Sequence, residues 1–135
     1  MSQENVETFK RGAEAFNRRD EAGMVEDLDP MIEWHPALQV MLGGEATVYR
    51  GHGGVRELLR ELDDALAEIR VEFSEIRNAG DQIVAIGRVR TRGKVSGAVT
   101  ESPVGYVADF RNGKATRIRT YLDPREVLLA AGLRE

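Results

Sequence analysis

A chain of 135 residues with 41% hydrophobic side chains is the size of one domain and can close a single core. Its net charge of −4 and pI near 5.3 argue against the basic face of a nucleic-acid binder, and no apolar run approaches the ~20 residues of a membrane span. The absence of Cys excludes a disulfide framework and thiolate metal sites, and fits a reducing compartment. Met1-Ser2-Gln3-Glu4 has neither the basic start nor the apolar core of a signal peptide, so one cytoplasmic domain over residues 1–135 is expected.

Ser2 can cap a first helix whose opening turn carries Glu4. Val6, Phe9, Ala13 and Phe16 recur at spacings of three and four, the stripe of an amphipathic helix. Asp20 caps a second, shorter helix with Met24, Val25 and Leu28 on its buried side, and Asp29-Pro30 ends it. Met31 to His35 reads as a short strand stopped by Pro36. Residues 37–46, with Gly43-Gly44, read as a loop placed to cover a pocket mouth. Thr47-Val48-Tyr49 is a second short strand. Gly51-His52-Gly53-Gly54 then opens the strongest helix, striped by Val55, Leu58, Leu59, Leu62, Leu66 and Ile69.

From Arg70 the period drops from helical to alternating. Val71 and Phe73 share a strand face, and Asn78 to Asp81 has turn chemistry. Ile83 to Arg92 forms a long strand whose alternating Arg88, Arg90 and Arg92 predict one solvated face. Ala98 to Phe110 forms another, with Pro103 marking an edge or bulge. Asn112-Gly113 is a two-residue type I′ hairpin signal, after which Thr116 to Leu122 returns. Asp123-Pro124-Arg125-Glu126 starts a final helix that Gly132 ends. The order predicts an α+β fold: a curved, mostly antiparallel sheet wrapped around the N-terminal helices and one long helix, with a short C-terminal helix.

This order resembles the nuclear-transport-factor-2-like superfamily of cone-shaped α+β barrels, and looks closest to its SnoaL-like, polyketide cyclase and ketosteroid isomerase-like branch. The carriers are Phe16-Asn17-Arg18-Arg19-Asp20, Glu33-Trp34-His35-Pro36, Tyr49 through Arg56, and Tyr121 through Glu126. The resemblance covers nearly the whole chain, yet these motifs mark helix ends and strand starts rather than chemistry. The resemblance implies a small, mostly apolar ligand held inside the cone. In the ketosteroid isomerases a carboxylate just before a Pro on the first strand shuttles the proton; His35-Pro36 stands there in this chain. The first-helix Tyr that donates to the oxyanion is matched by Gly12, and the late-strand acid by Tyr106. One role is missing and two are replaced, so the resemblance does not extend to steroid isomerisation of that type.

The residues themselves suggest where chemistry would sit. Histidine ordinarily changes charge near neutral pH, which makes His35 the candidate base, with Glu33 two residues away on the same strand face as its orienter. The bland alternative is a hydrogen-bonded pocket wall. Trp34 points the other way, as packing or as a ligand platform. Tyr106 is the candidate oxyanion donor. An ideal two-residue hairpin sets Phe110 opposite Ala115 and Tyr106 opposite Arg119, with Tyr121 on the same side. That gives a polar trio of Tyr106, Arg119 and Tyr121. The competing face offers Val107, Ile118, Thr120 and Asp109, and a slip of one residue swaps the two sets. Tyr49 joins Trp34, Arg119, Tyr121 and Asp109 among the expected ligand-binding residues. His52 in its Gly-rich helix start is either an anion site or, more ordinarily, a tight opening turn. No metal site and no cofactor are expected.

Two functional readings follow. One is a cofactor-free isomerase, cyclase or hydrolase acting by proton transfer on a hydrophobic carbonyl-type ligand. The other is a non-catalytic ligand-binding or dimerisation module of the same fold. Both predict a small hydrophobic molecule as partner, a homodimer through the uncovered sheet face, and no contact with nucleic acid or membrane.

Overall fold

The computed structural model describes residues 2–37 and 47–132. Most of the predicted 37–46 loop, including Gly43-Gly44 and its placing over a pocket mouth, falls outside them. Helix α1 spans Ser2–Asn17 and α2 spans Glu21–Glu26, capped as expected by Asp20, whose carboxylate accepts from the Gly23 N–H at 3.0 Å. Strand β1 is Leu28–His35, β2 is Tyr49–Arg50, and α3 is Gly51–Ala65. Four long or medium strands complete the sheet: β3 Leu66–Ala79, β4 Gln82–Gly93, β5 Val99–Arg111 and β6 Lys114–Tyr121. Helix α4, Pro124–Ala130, closes the described chain, with Asp123 as its cap.

The six strands lie in the order β2-β1-β6-β5-β4-β3, antiparallel except for the parallel β1–β6 pair. The sheet curves around α1, α2 and α3, the cone-like α+β arrangement of the sequence reading. Its inner face and these helices share one core, with Ile32, Val55, Ile83, Val89 and Val104 at or below 1% exposure. A second, smaller core lies on the outer face, where Val84 and Val107 pack against Val127 of α4. Alternation accounts for both. Ile83 and Val84, or Tyr106 and Val107, are consecutive residues on opposite faces. At Gly105 the helix comes so near the sheet that an added Cβ would overlap Val127 Cγ2 and lie 3.1 Å from its Cβ.

The strand expected at residues 47–49 is displaced to Tyr49–Arg50, and two further boundaries shift by more. Leu28 opens β1 instead of closing α2, and Leu66 and Ile69 belong to β3 instead of the α3 stripe. Their spacing fits either period. Pairing decides it, because Leu66 and Ile69 gain Gly93 and Thr91 as partners on β4, with a bulge after Leu66 absorbing the misfit. Pro103 sits where β5 has run past the end of β6, which starts its pairing at Gly105, so the strand is locally an edge there. The outer strand β3 is covered in part by Asn17. Its side-chain amide donates to the Val71 carbonyl at 2.8 Å and accepts from the Val71 N–H at 2.9 Å, occupying an edge that would otherwise be free to pair.

An apolar cavity beneath the first helix

The residues that matter for function are decided by which way each strand turns its side chains. On β1, Ile32 and Trp34 face the helices. Trp34 stands opposite Ile118 on β6 and Tyr49 on β2. Glu33 and His35 therefore face outward, next to Arg117 and Arg119 in register. There Glu33 binds Arg50 at 3.0 Å and lies 3.5 Å from His35 Nε2. The His35 ring first, and the Arg50 guanidinium after it, hold the Glu33 carboxyl below its usual pKa. The sequence reading set His35 in the hollow and Trp34 away from it; the structure reverses the two. A strand can give only alternate residues to its concave face, and the bulky indole takes that place beside Ile32.

The last hairpin corrects the second geometrical expectation. Asn112 and Gly113 both adopt positive φ, 53° and 79°, as a type I′ turn requires, and Phe110 does face Ala115. Beyond that pair a bulge inserts Thr116, whose hydroxyl donates to the Asp109 carbonyl at 3.3 Å. The register slips by one, so Tyr106 faces Thr120 and Arg119 faces Val107. The trio of Tyr106, Arg119 and Tyr121 is not assembled. Arg119 and Tyr121 lie on the outer face, Tyr121 beside the α4 core, and Asp109 lies there too, accepting from the Gln82 amide at 2.9 Å. Tyr49 is buried in the main core and donates its hydroxyl to Glu61 of α3. His52 is spent on architecture: its Nε2 meets the Leu28 carbonyl at 2.8 Å and ties the start of α3 to β1.

What remains on the inner face is a cavity of ≈ 60 Å³, measured as space open to the centre of a water-sized sphere. Helix α1 roofs it with Phe9, Gly12, Ala13 and Phe16, and the sheet floors it with Trp34, Val71, Phe73, Tyr106, Phe110 and Ile118. Phe9, Phe73 and Tyr106 form an aromatic wall, with ring centroids 5.3 to 6.1 Å apart and tilted or edge-on geometry. Gly12 matters here by omission, since nothing lies within 4 Å of where its Cβ would stand. The polar groups are few. Thr8 and Asp27 border the cavity and are both engaged by Arg11, at 3.2 and 3.4 Å. A smaller cavity of ≈ 20 Å³ adjoins it, bordered by Phe16, Trp34 and Tyr106 again and by Pro36, Leu58, Leu62 and Thr120.

Tyr106 is the group that stands out. It is 9% exposed, borders both cavities, and makes no hydrogen bond to any described residue. Burial pushes its phenol well above the usual range, so the hydroxyl stays protonated and offers its hydrogen. Across the ladder, Thr120 Oγ1 is buried and likewise has no partner among the described residues. Sequence reasoning named Tyr106 and Trp34 among its candidates, set Thr120 outside its favoured set, and did not name Asp27. Thr120 was visible only on the competing face of the hairpin, and Asp27 had no motif around it. Among the described residues no group of three or more His, Asp or Glu is placed to hold a metal ion.

A family model described as a SnoaL-like domain matches residues 9–118. The chain belongs to the SnoaL-like family. An NTF2-like protein of unknown function from Burkholderia pseudomallei is 29% identical over 93% of this chain and 95% of its own, with a TM-score of 0.80. TerC, crystallised with polyporic acid, is 25% identical over 96% and 98% of the two chains, with a TM-score of 0.79. A putative polyketide cyclase from Xanthomonas campestris shares the fold at 20% identity, covering 96% and 98%, with a TM-score of 0.74. No curated protein matches. Among the described residues of this SnoaL-like domain no helix is long and apolar enough to cross a membrane.

Proposed function

We propose that the protein binds a small, largely apolar molecule with a neutral oxygen acceptor, held in the cavity between α1 and the sheet. One observation carries the reading: a protonated tyrosine hydroxyl, without a hydrogen-bond partner among the described residues, bordering a cavity walled by aromatic and aliphatic side chains. Apolar walls favour the body of such a ligand by roughly 25 cal/mol per Å² of surface removed from water. The phenol supplies direction. An anion is disfavoured, because the one charged residue that borders the cavity is Asp27, itself an acid. The crystallisation of TerC with polyporic acid supports small-molecule binding in this fold, while the preference for a neutral ligand rests on this chain's own cavity lining.

Binding is the core of the reading. If a proton-transfer step accompanies it, Tyr106 is the donor toward a developing oxyanion. His35 and Glu33 take no part, since they lie on the far face of β1. We also propose a homodimer formed in the cytoplasm through the outer sheet face beyond α4. There Glu72 stands beside Arg88, Glu68 beside Arg92 and Glu101 beside Arg90, a mixed-sign surface that a two-fold axis can match to itself.

The test uses Trp34, the chain's only Trp, which borders both cavities. Titration with benzylacetone, a one-ring neutral ketone, is expected to change its fluorescence saturably. Hydrocinnamate, the carboxylate of similar size, is expected to bind far more weakly. A linear, non-saturating response to the ketone would refute the reading.

A further inference from the structure

The smaller cavity has a chemistry of its own. It shares Phe16, Trp34 and Tyr106 with the larger one, so the two adjoin at these three residues. None of its lining residues carries a charge. Thr120 lines it and stands directly opposite Tyr106 on the neighbouring strand. Buried hydroxyls in folded proteins are nearly always paired, and here Thr120 Oγ1 is buried with no partner among the described residues. An isosteric Val at that position would keep the shape and remove the unpaired polar group. For folding alone the hydroxyl is therefore a liability.

We propose that the two cavities are two chambers of one site, and that Thr120 is its specificity-determining contact. The apolar body of the ligand fills the larger chamber. A neutral hydroxyl or carbonyl oxygen on a short tail passes the edge of Trp34 and meets Thr120 Oγ1 beside the Tyr106 hydroxyl. This rests on the ligand-binding reading above and narrows it to molecules with an apolar ring at one end and an uncharged oxygen a few bonds away. A charged end group is excluded by the uncharged second chamber, which offers no counter-ion.

The measurement compares phenylpropanol with butylbenzene, two one-ring probes of equal length that differ by a hydroxyl in place of a methyl. Both are titrated against Trp34 fluorescence in the wild type, Thr120→Val and Thr120→Ser. The wild type is expected to gain roughly 3–10-fold in affinity from the hydroxyl, over whatever each probe's own hydration contributes, the worth of one net hydrogen bond. Thr120→Val is expected to lose that gain, bind butylbenzene as well as the wild type does, and melt no lower than it. Thr120→Ser is expected to restore the gain. An unchanged alcohol preference in Thr120→Val, with both probes still bound, would overturn the two-chamber site while leaving ligand binding intact. A melting temperature lowered by several degrees in Thr120→Val would also overturn it, because the hydroxyl would then serve the fold. Failure of the wild type to bind either probe would sink this proposal together with the reading beneath it.

Discussion

Replacing Tyr106 with Phe removes one oxygen from the centre of the molecule, and the structure sets the size of the effect. The ring stays, so its edge-on contacts with Phe9 and Phe73 at 6.1 and 5.4 Å are kept. A hydroxyl bonded within the protein would cost about 0.5–1.5 kcal/mol to delete, but this one has no described partner, so deletion is expected to be neutral or slightly stabilising. Tyr106→Ala removes the ring as well and is expected to cost on the order of 3–5 kcal/mol, as large-to-small changes in aromatic cores do. Ligand affinity should behave in the opposite way for the Phe variant. Benzylacetone should bind roughly 2–10-fold more weakly once the donor is gone. Urea unfolding with an unchanged m-value gives the first quantity and the Trp34 titration gives the second. A Phe variant destabilised by more than about 1.5 kcal/mol, with ketone affinity untouched, would refute the reasoning, since the hydroxyl would then belong to the fold.

Further outcomes follow from other contacts. Gly105→Ala should drive a methyl into Val127 and cost about 1–3 kcal/mol, and Val127→Ala in the same chain should recover part of that loss in a double-mutant cycle; additive effects would mean α4 is not seated as described. Asn17→Leu leaves both Val71 backbone groups on the edge strand without their partner, with an expected cost of about 1–3 kcal/mol and faster amide exchange at Val71. The Glu33 carboxyl is held below its ordinary value of 4.5 by His35 and Arg50 in the folded state. Its contribution to stability is therefore fully present above that pH and fades as pH falls through the lower folded value. Denaturation midpoints of Glu33→Gln should lack this part of the acid-side slope, and identical slopes in the two proteins would refute the pairing. Light scattering should report twice the 15.0 kDa chain mass, and a clean monomer would remove the dimer from the proposal.

Much of the architecture was legible in the chain alone because it is written in local chemistry. Asp20 and Asp123 announce helix starts, Asn112-Gly113 announces a turn that only two positive φ values satisfy, and the change of hydrophobic period after the long helix announces the sheet. Each of these depends on neighbours within four residues. The ambiguous boundary at Leu66 and Ile69 shows the limit, since their spacing suits a helix and a bulged strand equally, and only the partners on β4 choose.

The site depended on what lies far away in sequence. Glu33-Trp34-His35 fixes that Trp34 opposes its two neighbours, but not which of the two sides is concave; Ile32, Ile118 and the roofing helix settle that. A single inserted residue, Thr116, moved Arg119 and Tyr121 to the outside and brought Thr120 opposite Tyr106. Alternation on a strand is a local property of the backbone, whereas the choice of buried face is a property of the whole packed sheet. The chain by itself therefore named the fold and offered Trp34 and Tyr106 as site candidates, with Ile118 and Thr120 only on the alternative face of the hairpin. Tertiary packing alone decided that the indole, the phenol and an unpaired threonine hydroxyl face the hollow while the imidazole does not.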